Sequence, residues 1–225
     1  MPNSRLEKAV TNLPTFINKV SAKILIKMNL MEGYQPIGED TTGKRETQKR
    51  WEIIQKHIDP TASSCLDIGC NTGFFSHAIA SHNVFTIGFD SELRNTIVAN
   101  AQYQRPNLMF KNLELTPETT PLLPESDIII FLSVFHHLVK YYEEAGAKKI
   151  LKEIAQKCQK QIFFETGQFD ETDTKFAHLL HFMPDVESFT KDFFVRECGF
   201  QECICLGEFE TFLTPVKRKL FLLRR

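Results

Sequence analysis

Residues 65–75 read Cys-Leu-Asp-Ile-Gly-Cys-Asn-Thr-Gly-Phe-Phe: the end of a buried strand, a turn set by Gly69 and Gly73, and the first turn of a helix. A glycine at a strand exit lets backbone approach a ligand because no Cβ intervenes, and the helix amides beyond it can donate to that ligand. The next apolar run, Val84-Phe85-Thr86-Ile87-Gly88-Phe89, closes on a lone acid, Asp90. An acid at the tip of a neighbouring strand can accept hydrogen bonds from both hydroxyls of a ribose. The two strand ends together predict a nucleoside-binding crevice.

Outward from this core the pattern is regular. Apolar runs at Cys65–Ile68, Val84–Phe89, Leu108–Phe110, Ile128–Leu132 and Ile162–Phe164 alternate with helical stretches at Ser91–Tyr103 and Ala147–Cys158. Strands alternating with helices predict a parallel sheet covered on both faces. Pro117, Pro121 and Pro124 predict a loop or short turn rather than a full helix. Pro184 suits the first turn of a helix running through Phe189, Phe193 and Cys198, with Gly199 to end it. The runs Gln201–Leu206 and Lys219–Leu223 leave no room for a helix between them and predict an antiparallel pair.

The first thirty or so residues carry Leu13, Phe16, Ile17, Val20, Ile24, Met28 and Met31 at steps of three and four, an amphipathic helix. A lid packed on the main domain is the favoured reading. The alternative is a helix lying on an anionic membrane surface through Lys19, Lys23 and Lys27. We divide the chain into an N-terminal appendage, 1–50, and a main domain, 51–225.

The 225 residues suit one well-buried domain with an appendage. Net charge is −1, so the average field gives no reason to expect a polyanionic partner. Six irregularly spaced cysteines and no secretory pattern point to a reduced, cytoplasmic protein. A zinc site from Cys203, Cys205, His178 and His181 is disfavoured against core thiols and surface histidines, because no paired CxxC spacing is present. The longest apolar run, Ile128–Phe135, is broken by Ser133 and falls far short of the roughly 20 residues of a membrane span.

A dinucleotide fold would place G-x-G-x-x-G after the first strand, to lay a pyrophosphate against bare backbone. Here Asn71 replaces the middle glycine, and Phe74 and Phe75 occupy the space a pyrophosphate needs. A ligand without phosphates fits better. At Leu66–Gly73, at Asp90, around Asp127–Leu138 (DIIIFLSVFHHL) and at Arg196–Phe200 the chain resembles class I, Rossmann-like, S-adenosylmethionine-dependent methyltransferases. The similarity covers roughly Trp51 to Arg225. It implies a seven-stranded, mostly parallel sheet with helices on both faces and an antiparallel last strand.

The resemblance also implies a cofactor, S-adenosylmethionine, and residues to hold it. Asp67, Gly69, Cys70, Asn71 and Gly73 would form the loop under its methionine and adenosine parts, and Asp90 would take the ribose. Asn112 and Leu113 would meet adenine, and Ser133 would face the methionine end. Asn71 departs from the more usual glycine, but Asn tolerates left-handed dihedrals, so the turn survives.

A sulfonium methyl is already electrophilic, so the protein mainly holds a nucleophile in line with it. His136 and His137 are the most economical general bases for an alcohol or amine acceptor, and adjacent histidines cannot share one helix face. Glu165 is the next candidate. The expected acceptor is a small molecule, glycan or lipid headgroup, with an apolar wall from the Phe- and His-rich insertion Thr166–Met183. Arg45 and Arg50 are candidates to close over the cofactor carboxylate, with solvated helix charges as the alternative. RNA (tRNA) methylation has only the basic tail Lys217, Arg218, Lys219, Arg224 and Arg225 in its favour. A non-catalytic cofactor-binding partner subunit ranks lower, since nothing in the crevice is destroyed.

Overall fold

Ile128-Ile129-Ile130-Phe131 is apolar without alternation, and such a strand needs cover on both faces. The computed structural model describes Val20, Gln35, residues 46–211 and residues 214–225. In it these four side chains are fully buried inside a seven-stranded sheet. The strands are β1 (Ser64–Ile68), β2 (Phe85–Asp90), β3 (Leu108–Asn112), β4 (Ser126–Leu132), β5 (Cys158–Glu165), β6 (Glu202–Phe209) and β7 (Arg218–Arg224). Their order is β3-β2-β1-β4-β5-β7-β6. β1 to β5 are mutually parallel; β7 inserts between β5 and β6, antiparallel to both. This is the mixed sheet expected from the sequence, with the last strand the reversed one.

Among the described residues five helices cover the sheet: α1 (Thr47–Ile54), α2 (Phe74–Ala80), α3 (Leu93–Gln102), α4 (Phe135–Lys157) and α5 (Val186–Lys191). Alternation along β1 places Leu66 and Ile68 in the core with α4 and α5, and Cys65 in the core with α1 and α2. Asp67 therefore shares the face of Cys65, toward α2.

Several local expectations change. The helix expected from Ala147 begins at Phe135, directly after β4, and is interrupted at Glu143 (φ 55°, ψ −177°). That residue resets the helical phase, so no single periodic pattern spans both halves. Pro184 lies outside α5, because Asp185 caps it by accepting from the N–H groups of Glu187 (3.1 Å) and Ser188 (3.4 Å). Beyond α5 the chain widens into a π-helical turn, Asp192–Glu197, in which Cys198 N–H bonds Phe193 O, five residues back (3.0 Å). The helix expected across residues 13–31 lies outside the described residues apart from Val20. α1 runs across position 50, where the sequence places the junction between appendage and main domain.

Gly73 caps α2 at φ 89°, a conformation that disfavours any side chain. A Cβ there would also sit 2.6 Å from the Phe110 ring. Left-handed strain and overpacking together give Gly73→Ala an expected loss of roughly 3 kcal/mol. Urea denaturation measures it; a loss under about 1 kcal/mol would show that the ring gives way.

Candidate active site

Strand order reverses about β1, with β2 on one side and β4 on the other, and open α/β sheets bind ligands at such a point. A cavity of about 430 Å³ opens there at the carboxyl ends of the strands, within the roughly 300–1,000 Å³ of small-molecule sites. Gly69 and Asn71 line it from the β1 turn, Asp90 from β2, Leu113 from beyond β3, Ser133 from beyond β4 and Glu165 from β5. Gln35, Thr47 and Arg50 close one side, and His137, Leu138, Tyr141 and Tyr142 of α4 another.

The β1 turn holds its shape through β2. Gly69 (φ 78°) and Cys70 both donate their N–H to Phe89 O (2.8 Å each). Asn71 takes the left-handed conformation (φ 52°), as expected of it, and its Oδ1 accepts the Thr72 N–H at 2.9 Å. Its own N–H donates to Asp90 Oδ2 (2.8 Å). Asp90 Oδ1 accepts from Glu92 N–H (2.9 Å) and Asn95 Nδ2 (3.1 Å). A carboxylate offers about four lone-pair sites, so these three bonds aim Asp90 and leave capacity for about one more donor.

Three of the expected contact residues do not line the cavity. Cys70 is fully buried in a cluster with Ala80, Ala99, Leu108 and Phe110, where burial pushes its thiol well above the ordinary range. Asn112 does not line the cavity: its Nδ2 donates to Asp90 O (2.9 Å) and Ser91 O (2.8 Å), bracing the β2 exit. The apolar wall beyond β3 comes from Leu113 and Leu115, with Glu114 beside them. Gly73 is outside the lining, and it serves the packing of α2 against Phe110.

The three candidate bases separate. His136 is buried; its Nδ1 accepts the Gly167 N–H (3.1 Å) and its ring packs on Phe176, centroids 4.4 Å apart. His137 is the histidine that lines the cavity. Glu165 also lines it, but Arg50 Nε donates to its Oε2 (2.7 Å) and Ser133 Oγ to its Oε1 (2.8 Å). Glu165 thus holds Arg50 in a buried ion pair through Oε2 while Oε1 accepts from a neutral hydroxyl. The insertion 166–183 contributes no lining residue; its Ala177, Leu180 and Met183 belong to the core instead.

Asp67 lines the cavity floor, and burial raises its carboxyl to about 7 against the opposing hydrogen bond from Ser76 Oγ (2.6 Å). The residues that sequence reasoning missed are Gln35 and Thr47 at the cavity edge and Glu171 beneath it. Gln35 and Glu171 lie in irregular sequence and Thr47 opens α1, and an isolated polar residue in either place carries no periodic signal. The basic tail is engaged internally. Arg218 is fully buried against Glu171, while Lys217, Lys219 and Arg224 pair with Glu210, Glu187 and Glu202, and Arg225 donates to the carbonyls of Cys158 and Ala155. Among the described residues no group of His, Cys, Asp and Glu could hold a metal, and no helix is long and apolar enough to cross a membrane.

Comparison with known proteins agrees with this geometry. Residues 66–164 match the family model described as a methyltransferase domain. Two Escherichia coli proteins, each named O-antigen chain terminator bifunctional methyltransferase/kinase WbdD, are 27% and 28% identical over 193 residues, 81% of this chain and 26% of each relative. The chain thus spans about a quarter of the length of these curated relatives. A crystal structure of WbdD superposes with a TM-score of 0.75 at 26% identity, covering 90% of this chain and 46% of that one. Magnesium protoporphyrin IX methyltransferase (ChlM) from Synechocystis PCC 6803, solved with bound S-adenosylmethionine, shares the fold. Its TM-score is 0.61 at 15% identity, covering 94% of this chain and 97% of that one. Motif, sheet order and cavity converge with these matches: residues 66–164 match a methyltransferase domain, and the chain has the class I S-adenosylmethionine-dependent methyltransferase fold.

Proposed function

We propose that the chain transfers a methyl group from S-adenosylmethionine to an oxygen or nitrogen atom of a small molecule, glycan or lipid headgroup. The observation that carries this reading is the cavity at the β1 turn, where a glycine-supported backbone faces an Asp90 already aimed by three protein donors. Bound S-adenosylmethionine supplies a methyl carried on a positive sulfur, electrophilic without further activation.

The chain's own groups bind, orient and accept a proton. Asp90 Oδ2 takes one ribose hydroxyl, and Leu113 and Leu115 pack on the adenine ring. Gln35, Thr47 and Arg50 surround the end that receives the carboxylate of the amino-acid tail, with Arg50 held in place by Glu165. Asp67 lies on the floor for the ammonium group. His137, on the α4 side, accepts the proton of the acceptor, while His136 braces the loop at Gly167. Orientation and exclusion of water supply the remaining acceleration. The glycan class draws support from the Escherichia coli relatives, which are named as O-antigen chain terminators.

Calorimetric titration with S-adenosylhomocysteine tests the reading. The wild-type chain should bind it and ignore NAD, and Asp90→Asn should weaken binding by roughly tenfold or more, the loss of one charge-assisted hydrogen bond. Absence of heat with the folded wild type would remove the proposal.

Asp67 makes a second, pH-dependent prediction. Its folded value of about 7 stands above the unfolded value of roughly 3.9. The folded state therefore holds the proton more tightly, a contribution present below pH 4 and lost as pH rises through 7. Between these limits the thermal midpoint of the wild type should fall relative to Asp67→Asn, and the two curves should run parallel outside them. Parallel curves throughout would show that Asp67 keeps an ordinary pKa.

A further inference from the structure

The segment that follows β5 does not line the cavity, yet a chain of buried polar contacts runs from it to the cavity wall. Glu171 and Arg218, both fully buried, form a two-pronged pair: Arg218 Nε donates to Oε1 and Nη2 to Oε2, each at 2.7 Å. Gln168 N–H adds a third bond, to Glu171 Oε1 (2.8 Å). Arg218 Nη1 donates to Ser133 Oγ (3.0 Å), Ser133 Oγ donates to Glu165 Oε1 (2.8 Å), and Arg50 Nε donates to Glu165 Oε2 (2.7 Å). Ser133, Glu165 and Arg50 line the cavity; Glu171 and Arg218 stand behind them.

Stability alone does not account for the pair. Apolar side chains of similar volume hold a core at least as well as a buried ion pair, because two desolvated charges return little net energy. What the pair adds is direction. A guanidinium only donates, so Ser133 Oγ must accept from Arg218, and its own proton is thereby turned toward Glu165. Glu165 Oε1 is then committed to Ser133, and Oε2 is left for Arg50. Ser133 itself stands at φ 61°, a conformation a serine keeps only when its surroundings enforce it. Its N–H donates to Glu165 O (2.7 Å), so backbone and hydroxyl are both fixed against the same residue.

We infer that Glu171 and Arg218 are positioning residues for the cofactor site, setting Ser133, and through Ser133 and Glu165 the Arg50 guanidinium, from behind the cavity wall. The inference rests on the cofactor reading given above. It assigns the insertion 166–183 a buttressing role: the loop orients the wall of a cavity it does not enter.

The test is a double-mutant cycle on S-adenosylhomocysteine affinity, measured by calorimetry on the full chain, with folding followed by near-ultraviolet circular dichroism. Glu171→Gln should weaken binding roughly tenfold, and in a Ser133→Ala background it should weaken it no further, because both changes break the same chain. A variant that loses thermal stability but keeps its affinity within about twofold would overturn the inference, as would losses that simply add. If Glu171→Gln does not fold, the paired replacement Arg218→Met with Glu171→Leu leaves no unpaired buried charge and takes its place. The same tenfold loss is expected, and wild-type affinity in that variant would refute the positioning role. A wild type that binds no S-adenosylhomocysteine would instead sink the cofactor reading, and this inference with it.

Discussion

Parallel pairing of β1 with β2 on one side and β4 on the other is the constraint on which the rest depends. Parallel neighbours cannot be joined by a tight turn, so each connection leaves the sheet and crosses a face before returning. About β1 the crossings diverge: the chain goes by α2 toward β2 and β3, and only afterwards back to β4 on the opposite flank. The carboxyl ends of β1 and β4 therefore have no covering crossover directly above them, and the cavity occupies that gap. Asp67, Gly69, Asp90 and Ser133 converge because the register aligns the strand ends, pairing Ile68 with Phe89 and Leu132 with Glu165.

Most of this frame was legible in the residue pattern. Strands buried on both faces announce themselves as continuous apolar runs, and the terminal pair Gln201–Leu206 and Lys219–Leu223 could only be antiparallel for want of a connecting helix. The turn at Asn71 followed from the few residues that accept its dihedrals. Backbone departures were less legible. The break at Glu143 and the π-helical turn after α5 depend on packing from distant elements, and no local preference of glutamate or phenylalanine foretells them.

The site was legible at the strand ends and opaque behind them. Asp90 and Ser133 stand where a motif places them, and two of the three donors that aim Asp90 are backbone amides, which any sequence would supply. Asn112, in contrast, has the right chemistry and the wrong direction: side chains alternate along β3, and its amide turns back onto the exit of β2. Arg218 was read as part of a basic tail, the one feature in favour of an RNA acceptor. Its place in β7, between β5 and β6, puts it at zero exposure, and the ion pair with Glu171, distant in sequence, offsets the buried charge. Pairings between residues so far apart leave no trace in a single chain.

Glu143 divides α4 into two portions. The portion before it, starting at Phe135, carries His137, Leu138, Tyr141 and Tyr142 along the cavity, while the portion after it anchors Ala147, Ile150, Leu151 and Ile154 in the interior. A continuous helix is a stiff rod that would tie any tilt of its mouth-facing end to the buried end. With the helical dihedrals broken at one position, the mouth-facing portion takes its own axis, while Phe135 and Leu138 before the break and Ala147 and Ile150 after it still close one shared interior.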